Sequence, residues 1–389
     1  MPLCLGGLLF PSVNMNYDCV YQDLNARLQH LRTAPTSTQN KWLLTLHISS
    51  AMSHMARVSP SPLRLPILDS CKHLLISHTF TLFSIVQPTR STPLQLFAPI
   101  AKGGLGLADL RAIHTAQRDT PKSTNLHDTV EAITFSNWER SWIDTDEIRY
   151  RSLQLPTNQQ ASWVNTLPTY KSYTLSDSSF IHGIQWRLDL IQPFDLLCGF
   201  QSPDPHTFGN HIQTCKTCAS ATWAARHEAV IGAITRASNI SHYQTTTNVD
   251  NLPLPTADTR CGRKSGPDIL LMFGTIFALD VTVVHTSDSY FNIGNNRLEQ
   301  RNRQKHDTYT EWSSISKIPA IPCTVSSHGS IHPEFIRLIL DHAPPKSNTA
   351  LFSRHIQTAL VTATSNSIIL LQARSVLTAR NAERLSQPT

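Results

Sequence analysis

Pro267-Asp-Ile-Leu-Leu-Met-Phe-Gly-Thr-Ile-Phe-Ala-Leu-Asp-Val-Thr-Val-Val284 holds two apolar runs hinged on Gly274-Thr275. Residues 269–273 and 276–284 are rich in β-branched and aromatic side chains, and the pair between them is turn chemistry, so the stretch reads as a β-hairpin. A turn at Gly274-Thr275 puts Asp268 opposite about Val281, next to Asp280. Two carboxylates held side by side ionise comfortably only with a cation between them. Oxygen ligands at an open edge suit Mg²⁺ or Mn²⁺. An aspartate inside the apolar run 277–283 is also costly to bury without a partner. The plainer reading makes Asp268 a loop end and Asp280 a strand residue placed by chance.

Downstream, a polar helix over about 296–313 leads to a third strand at 318–325. A strand, helix, strand unit of this length is a right-handed crossover, so part of the sheet is expected to be parallel. Arg297, Arg301, Lys305 and Tyr309 repeat at four and share one helix face. That face can reach the carboxyl end of the preceding strand, where a lysine would orient a water and stabilise charge developing on a phosphate. Standing alone, it would be a solvated basic surface. Two more helices are expected at about 332–341 and 350–380.

Upstream, a helix from about Ala221 to Ser238 carries Arg226-His227-Glu228, a triplet that by itself means a surface helix start. Before it, Cys198, His206, His211, Cys215 and Cys218 lie in what reads as a loop-rich knot. The spacing His211-x3-Cys215-x2-Cys218 is that of a zinc knuckle, with Cys198 as a fourth soft ligand. The alternative is a few loop cysteines with unrelated histidines. The five other cysteines are scattered, too sparse for a disulfide framework.

The first 118 residues show helical spacing: Tyr17, Val20, Leu24, Leu28, Leu31; then Leu44, Ile48, Met52, Met55; then Leu65, Leu68, Cys71, Leu75, Leu82. Gly103, Gly104 and Gly106 crowd a short apolar segment after them. The spacing and the Lys-Ser/Thr of a phosphate loop are missing, so a tight turn between packed helices is expected. Residues 119–180, rich in Ser and Thr, read as a loosely packed connector with one or two helices, and Phe180, Ile184, Leu188 and Ile191 then give a short helix that ends at Pro193.

Across 389 residues, 40% hydrophobic and 15% charged composition excludes a disordered, highly charged chain. The net charge of +6 permits contact with nucleic acid without demanding it. No apolar run is long enough to span a membrane, and the N-terminus lacks the basic start of a secretory signal. A reducing location, nucleus or cytoplasm, is expected; secretion is not.

In this order the pieces resemble the C-terminal part of a non-LTR retrotransposon reverse transcriptase that carries a restriction-like endonuclease. Cys4-Leu-Gly-Gly7 resembles the last palm strand, Met55-Ala-Arg-Val58 the thumb, and Gly103-Gly-Leu-Gly-Leu107 a recurrent segment after it. Phe180-Ile-His-Gly-Ile-Gln-Trp-Arg-Leu188 resembles the stretch before the knuckle. His211 and Cys215, Arg226-His227, Pro267-Asp268, Asp280-Val-Thr-Val283, then Lys305 and Tyr309 follow in the family's order.

Two departures are visible. The family's Cys-x-Cys-Gly is here Leu196-Leu-Cys-Gly199, so Cys218 or His206 must complete any zinc set. No Asp-Asp pair occurs, so the chain has no polymerase centre. Thr282 also stands where nucleases of the PD-(D/E)xK type often carry lysine, and the family's migrated lysine maps to Lys305. The resemblance implies an α+β chain: a helical thumb-like region (1–118), a connector (119–190), a zinc-knuckle segment (191–220) and a small mixed α/β endonuclease domain (221–389). It implies divalent-metal cleavage of a DNA target, with element RNA as a second partner and no membrane. Asp268 and Asp280 would hold Mg²⁺ or Mn²⁺, with Lys305 at the water and Glu228 assisting. Cys198, His211, Cys215 and Cys218 would hold structural Zn²⁺, and Arg226, His227, Arg301 and Tyr309 would contact nucleic acid. The competing functions are a nucleic-acid-binding remnant without catalysis and a decayed fragment.

Overall fold

Helices α1 (Tyr17–Thr33), α2 (Thr38–Val58) and α3 (Leu65–Leu82) follow from the three-to-four spacing of their apolar residues. Leu24, Leu28, Trp42, Leu68, Leu75 and Phe83 are buried together. These and the elements below belong to a computed structural model that describes residues 17–58, 65–86, 88, 92–100, 104–119, 125–143, 162–168, 171–188, 190–247, 267–285, 297–343, 345 and 347–386. The segment Cys4–Gly7 and Gly103 lie outside them. The chain is mixed α+β, mostly helical, with a small four-stranded mixed sheet.

A short helix α4 (Thr92–Gln95) and α5 (Leu110–Asp119) bracket the glycine-rich segment. Asp109 caps α5 by accepting from the amides of Arg111 (3.0 Å) and Ala112 (3.2 Å), and it pairs with Lys72 at 2.6 Å. A Cβ on Gly104 would fall 2.0 Å from the Ala98 carbonyl oxygen, and Gly106 has φ +73°. The segment is therefore a packed turn. Its Gly104 carbonyl accepts from the buried Arg187 guanidinium at 3.0 and 3.1 Å. A loop presenting carbonyls to an arginine is the wrong polarity for phosphate.

Helix α6 (Leu126–Ile143) is of the kind expected in the connector and α7 (Asp177–Arg187) overlaps the short helix expected from Phe180, but the packing corrects the expectation of looseness. Trp138, Trp163, Phe180 and Ile184 are buried. Phe180 meets Trp163 edge-on at 5.6 Å and Phe83 at 6.0 Å. Aromatic mass overrides a Ser/Thr-rich composition here, because each such ring removes a large apolar area from water.

The knot is helical rather than loop-rich, a second correction. Asp204 accepts from the Thr207 amide at 2.9 Å and Pro205 opens α8 (Pro205–Thr214). Cys215 then closes α8 and begins α9 (Lys216–Ile240).

Strand β1 (Gln244–Thr247) pairs antiparallel with β2 (Ile269–Met272), and β2 pairs antiparallel with β3 (Ile276–Val284). β3 pairs parallel with β4 (Ala320–Ser326) across the crossover helix α10 (Arg297–Ser316). β1 is polar and mostly exposed, with no apolar alternation to signal it. On β3, Phe277, Leu279 and Val281 face a core made with α9, α11 (Pro333–His342) and α12 (Ser347–Ser386). Ala278 faces the other way, under Tyr309 and Trp312 of α10. Strand alternation therefore turns Asp280 toward α10.

α12 also serves the helical half. His182 Nδ1 of α7 lies 2.9 Å from Ser365 Oγ, and a Cβ on Gly183 would meet Val361 at 2.6 Å. Among the described residues no helix is long and apolar enough to cross a membrane.

Candidate active site and candidate metal centre

The hairpin turns through Phe273-Gly274-Thr275, with Gly274 at φ +82°. Its pairs run from Met272↔Ile276 to Ile269↔Leu279, shifted by one residue from those expected of a two-residue turn at Gly274-Thr275. Beyond Ile269 the Asp268 amide donates to the Leu279 carbonyl at 2.8 Å. The Asp268 carboxylate then accepts from the Val281 amide at 2.7 Å. Asp268 is thereby placed beside Asp280, as the spacing predicted.

Asp280 is 5% exposed. Lys305 Nζ stands 2.7 Å from its Oδ2, and the Tyr309 hydroxyl donates to its Oδ1 at 2.8 Å. The four-residue repeat on α10 thus delivers an ammonium and a phenol to one carboxylate. Burial, with Asp280 and Asp268 nearby, raises the Tyr309 pKa above the ordinary phenol range. Burial also raises the Cys323 thiol, with Asp280 and Asp268 adding to it from across β3 and β4.

His227 Nε2 of α9 donates to Asp268 Oδ2 at 3.3 Å, and that bond raises the imidazole pKa. Glu228 is largely exposed and approaches His227 Nδ1 at 3.5 Å, so it meets the carboxylate pair only through His227. Arg226 is buried, and burial lowers its pKa to about 10. Tyr309 is buried as well. Both were expected at a nucleic-acid surface, and helix packing withdraws both from it. Arg301 remains outside, bonded to Gln304 at 3.1 Å.

The ligating atoms of Cys198, His211, Cys215 and Cys218 lie within 4.8 Å of one another. Cys198 Sγ is 3.2 Å from His211 Nε2 and 3.5 Å from Cys218 Sγ. Zinc–ligand bonds of about 2.0–2.3 Å require tetrahedron edges of roughly 3.5–3.8 Å, close to these. Phe200 stacks on the His211 ring at 3.8 Å and 5°, fixing its plane. Burial and the neighbouring Cys198 and Cys215 push the Cys218 thiol up to about 12, a crowding that a bound cation would reverse. These four residues could hold a metal such as zinc. Among the described residues they are the one cluster of three or more such ligands. The carboxylate pair has His227 Nε2 3.3 Å from Asp268, but with it forms no such mutually close cluster, and nothing in its arrangement marks Mg²⁺ or Mn²⁺ in particular.

Sequence reasoning found the pair, Lys305 and the four thiol and imidazole ligands. It missed that Tyr309 and His227 bond the carboxylates, although both stood in the quoted motifs. No family model matches this chain, and no curated protein matches it.

Proposed function

We propose that the chain is a divalent-metal-dependent DNA endonuclease, the C-terminal part of a non-LTR retrotransposon reverse transcriptase. One observation carries this reading: Asp268 and Asp280 lie side by side on the hairpin with Lys305 of the crossover helix at 2.7 Å. Spacing alone pointed to that juxtaposition, and it costs desolvation that a surface residue would avoid. The donor set fits a hard cation, for which Asp268 and Asp280 would be the protein ligands. When bound, Mg²⁺ or Mn²⁺ supplies a water of lowered pKa and a Lewis acid. Lys305 provides positive charge for a developing phosphorane, and Tyr309 fixes one Asp280 oxygen so the carboxylate cannot rotate. His227 does the same for Asp268. The knuckle residues would hold structural Zn²⁺ and pin the start of the helix that presents His227.

A second reading draws on the same contacts. Lys305 and Tyr309 already engage both Asp280 oxygens, so the set also works as a structural ion pair in a chain that binds nucleic acid without cutting it. Nicking of supercoiled plasmid by the full chain in Mg²⁺ or Mn²⁺ separates the two. The enzyme reading expects metal-dependent nicking, a loss of about 10²–10³ in turnover for Lys305→Ala and none left in Asp280→Ala. Absence of nicking by the wild type ends it.

A further inference from the structure

A polar network on the sheet-facing side of α10, beside Lys305, belongs to neither candidate site. Asn302 is 3% exposed and Thr324 is fully buried. Burying such groups is unfavourable unless each is bonded. Thr324 Oγ1 donates to Asn302 Oδ1 at 3.1 Å, and Asn302 Nδ2 donates to Glu334 Oε2 at 2.6 Å. His306 Nε2 lies 2.7 and 2.8 Å from the two Glu334 oxygens. Glu334 sits in the first turn of α11, where the helix N-terminus favours a carboxylate. The His332 side chain accepts from the Glu334 amide at 3.3 Å, anchoring the same turn.

Asn302 and His306 bracket Lys305 on α10. Lys305 has a flexible four-carbon stem, and its ammonium reaches Asp280 only while its helix keeps one rotation and one height above β3. Sliding α10 by a single residue, about 1.5 Å, would break both Glu334 contacts. The chain Thr324–Asn302–Glu334–His306 ties α10 to β4 and α11 together, three residues before Lys305 and one after it. A separate pair, Glu299 Oε2 with His332 Nε2 at 2.7 Å, joins the same two helices two turns away.

We propose that Glu334 is a positioning residue for Lys305, clamping Asn302 and His306 so that the ammonium is held on the Asp280 carboxylate. The effect on turnover rests on the endonuclease reading; the effect on Lys305 itself does not. Reductive methylation of the full chain, with Lys305 followed by quantitative mass spectrometry, tests the second directly. Lys305 is expected to react about tenfold faster in Glu334→Gln, the lower end of what a charge-assisted hydrogen bond is worth. Glu299→Gln should leave the rate as in wild type, which a general stapling of the two helices would not allow. His306→Gln, at a half-exposed site, should also speed the reaction and serves if Glu334→Gln does not fold. In the nicking assay Glu334→Gln should lose about 10- to 100-fold in kcat at unchanged KM for DNA. An unchanged Lys305 rate in both Glu334→Gln and His306→Gln, or an equal rise in Glu299→Gln, overturns the proposal. A wild type that never nicks DNA overturns the enzyme reading instead and leaves the methylation result to decide this one.

Discussion

Burying the Asp280 carboxylate costs several kcal/mol unless its charge is answered, and two side chains four residues apart on α10 answer it. Lys305→Met should therefore destabilise the fold by about 3 kcal/mol, because Tyr309 alone cannot neutralise the anion. Adding Asp280→Asn should recover at least half of that loss, giving a coupling of about 1.5 kcal/mol or more in a double-mutant cycle from urea unfolding. A coupling near zero would mean that the ion pair contributes nothing. His78 makes a contrasting case in the helical half. Arg32 Nε donates to its Nδ1 at 3.4 Å, and its Nε2 lies 3.1 Å from Thr45 Oγ1, whose proton goes to the Lys41 carbonyl at 2.8 Å. The ring is thus neutral, with its proton on Nε2. Burial, then Arg32 and Lys41, lower its pKa to about 4. The unfolded chain binds that proton from about pH 6.5 downward. Stability from neutral His78 is accordingly full above pH 6.5 and lost as pH falls toward 4. His78→Gln should flatten this stretch of the urea midpoint–pH curve, and a slope identical to wild type would refute the assignment.

At the scale of elements, the hairpin was the most legible part of the chain, because a glycine turn between two apolar runs fixes which residues meet. Only its register escaped by one position, since the turn uses three residues and no pattern in the sequence counts them. The crossover helix was equally plain: Lys305 and Tyr309 share a face by spacing alone. What spacing could not give was depth. Tyr309 and Arg226 looked like surface contacts because polar heads usually stay in water, and both are buried instead. β1 was invisible, being four polar residues whose pairing is supplied by β2. The four candidate ligands of the cysteine segment do converge, but its conformation differs from the loop-rich expectation, since Asp204-Pro205 is a helix start that knuckle spacing does not reveal. Its chemistry gives a further expectation. The purified chain should hold one zinc, and loading the apo form should release protons, because thiols as crowded as Cys218 must deprotonate to bind. Cys198→Ser should lower zinc content and melting temperature together. A protein whose melting is unmoved by chelator would show that the four residues pack without metal.

For the molecule as a whole, the last helix, α12, reaches back across the boundary expected near residue 190. All described strands lie after Tyr243, yet α12 is shared: its Val361 and Ser365 meet α7, while Phe352 and Ile356 pack under the sheet. A chain cut to 190–389 would present to water the α12 face that Gly183 now covers. It should bind a hydrophobic dye and unfold at lower urea than the full chain, with a broader transition. Equal midpoints would show that the two halves fold separately. The reach of that one helix also has a consequence in time. His182 waits for a partner 183 residues further along the chain. At about 5–20 residues per second of synthesis, the wait is roughly 10 to 40 s. Through that interval the emerging polypeptide carries an unfilled slot beside Trp163. The ribosome, or a chaperone at its exit, meets this protein as a half-closed bundle until α12 has been translated.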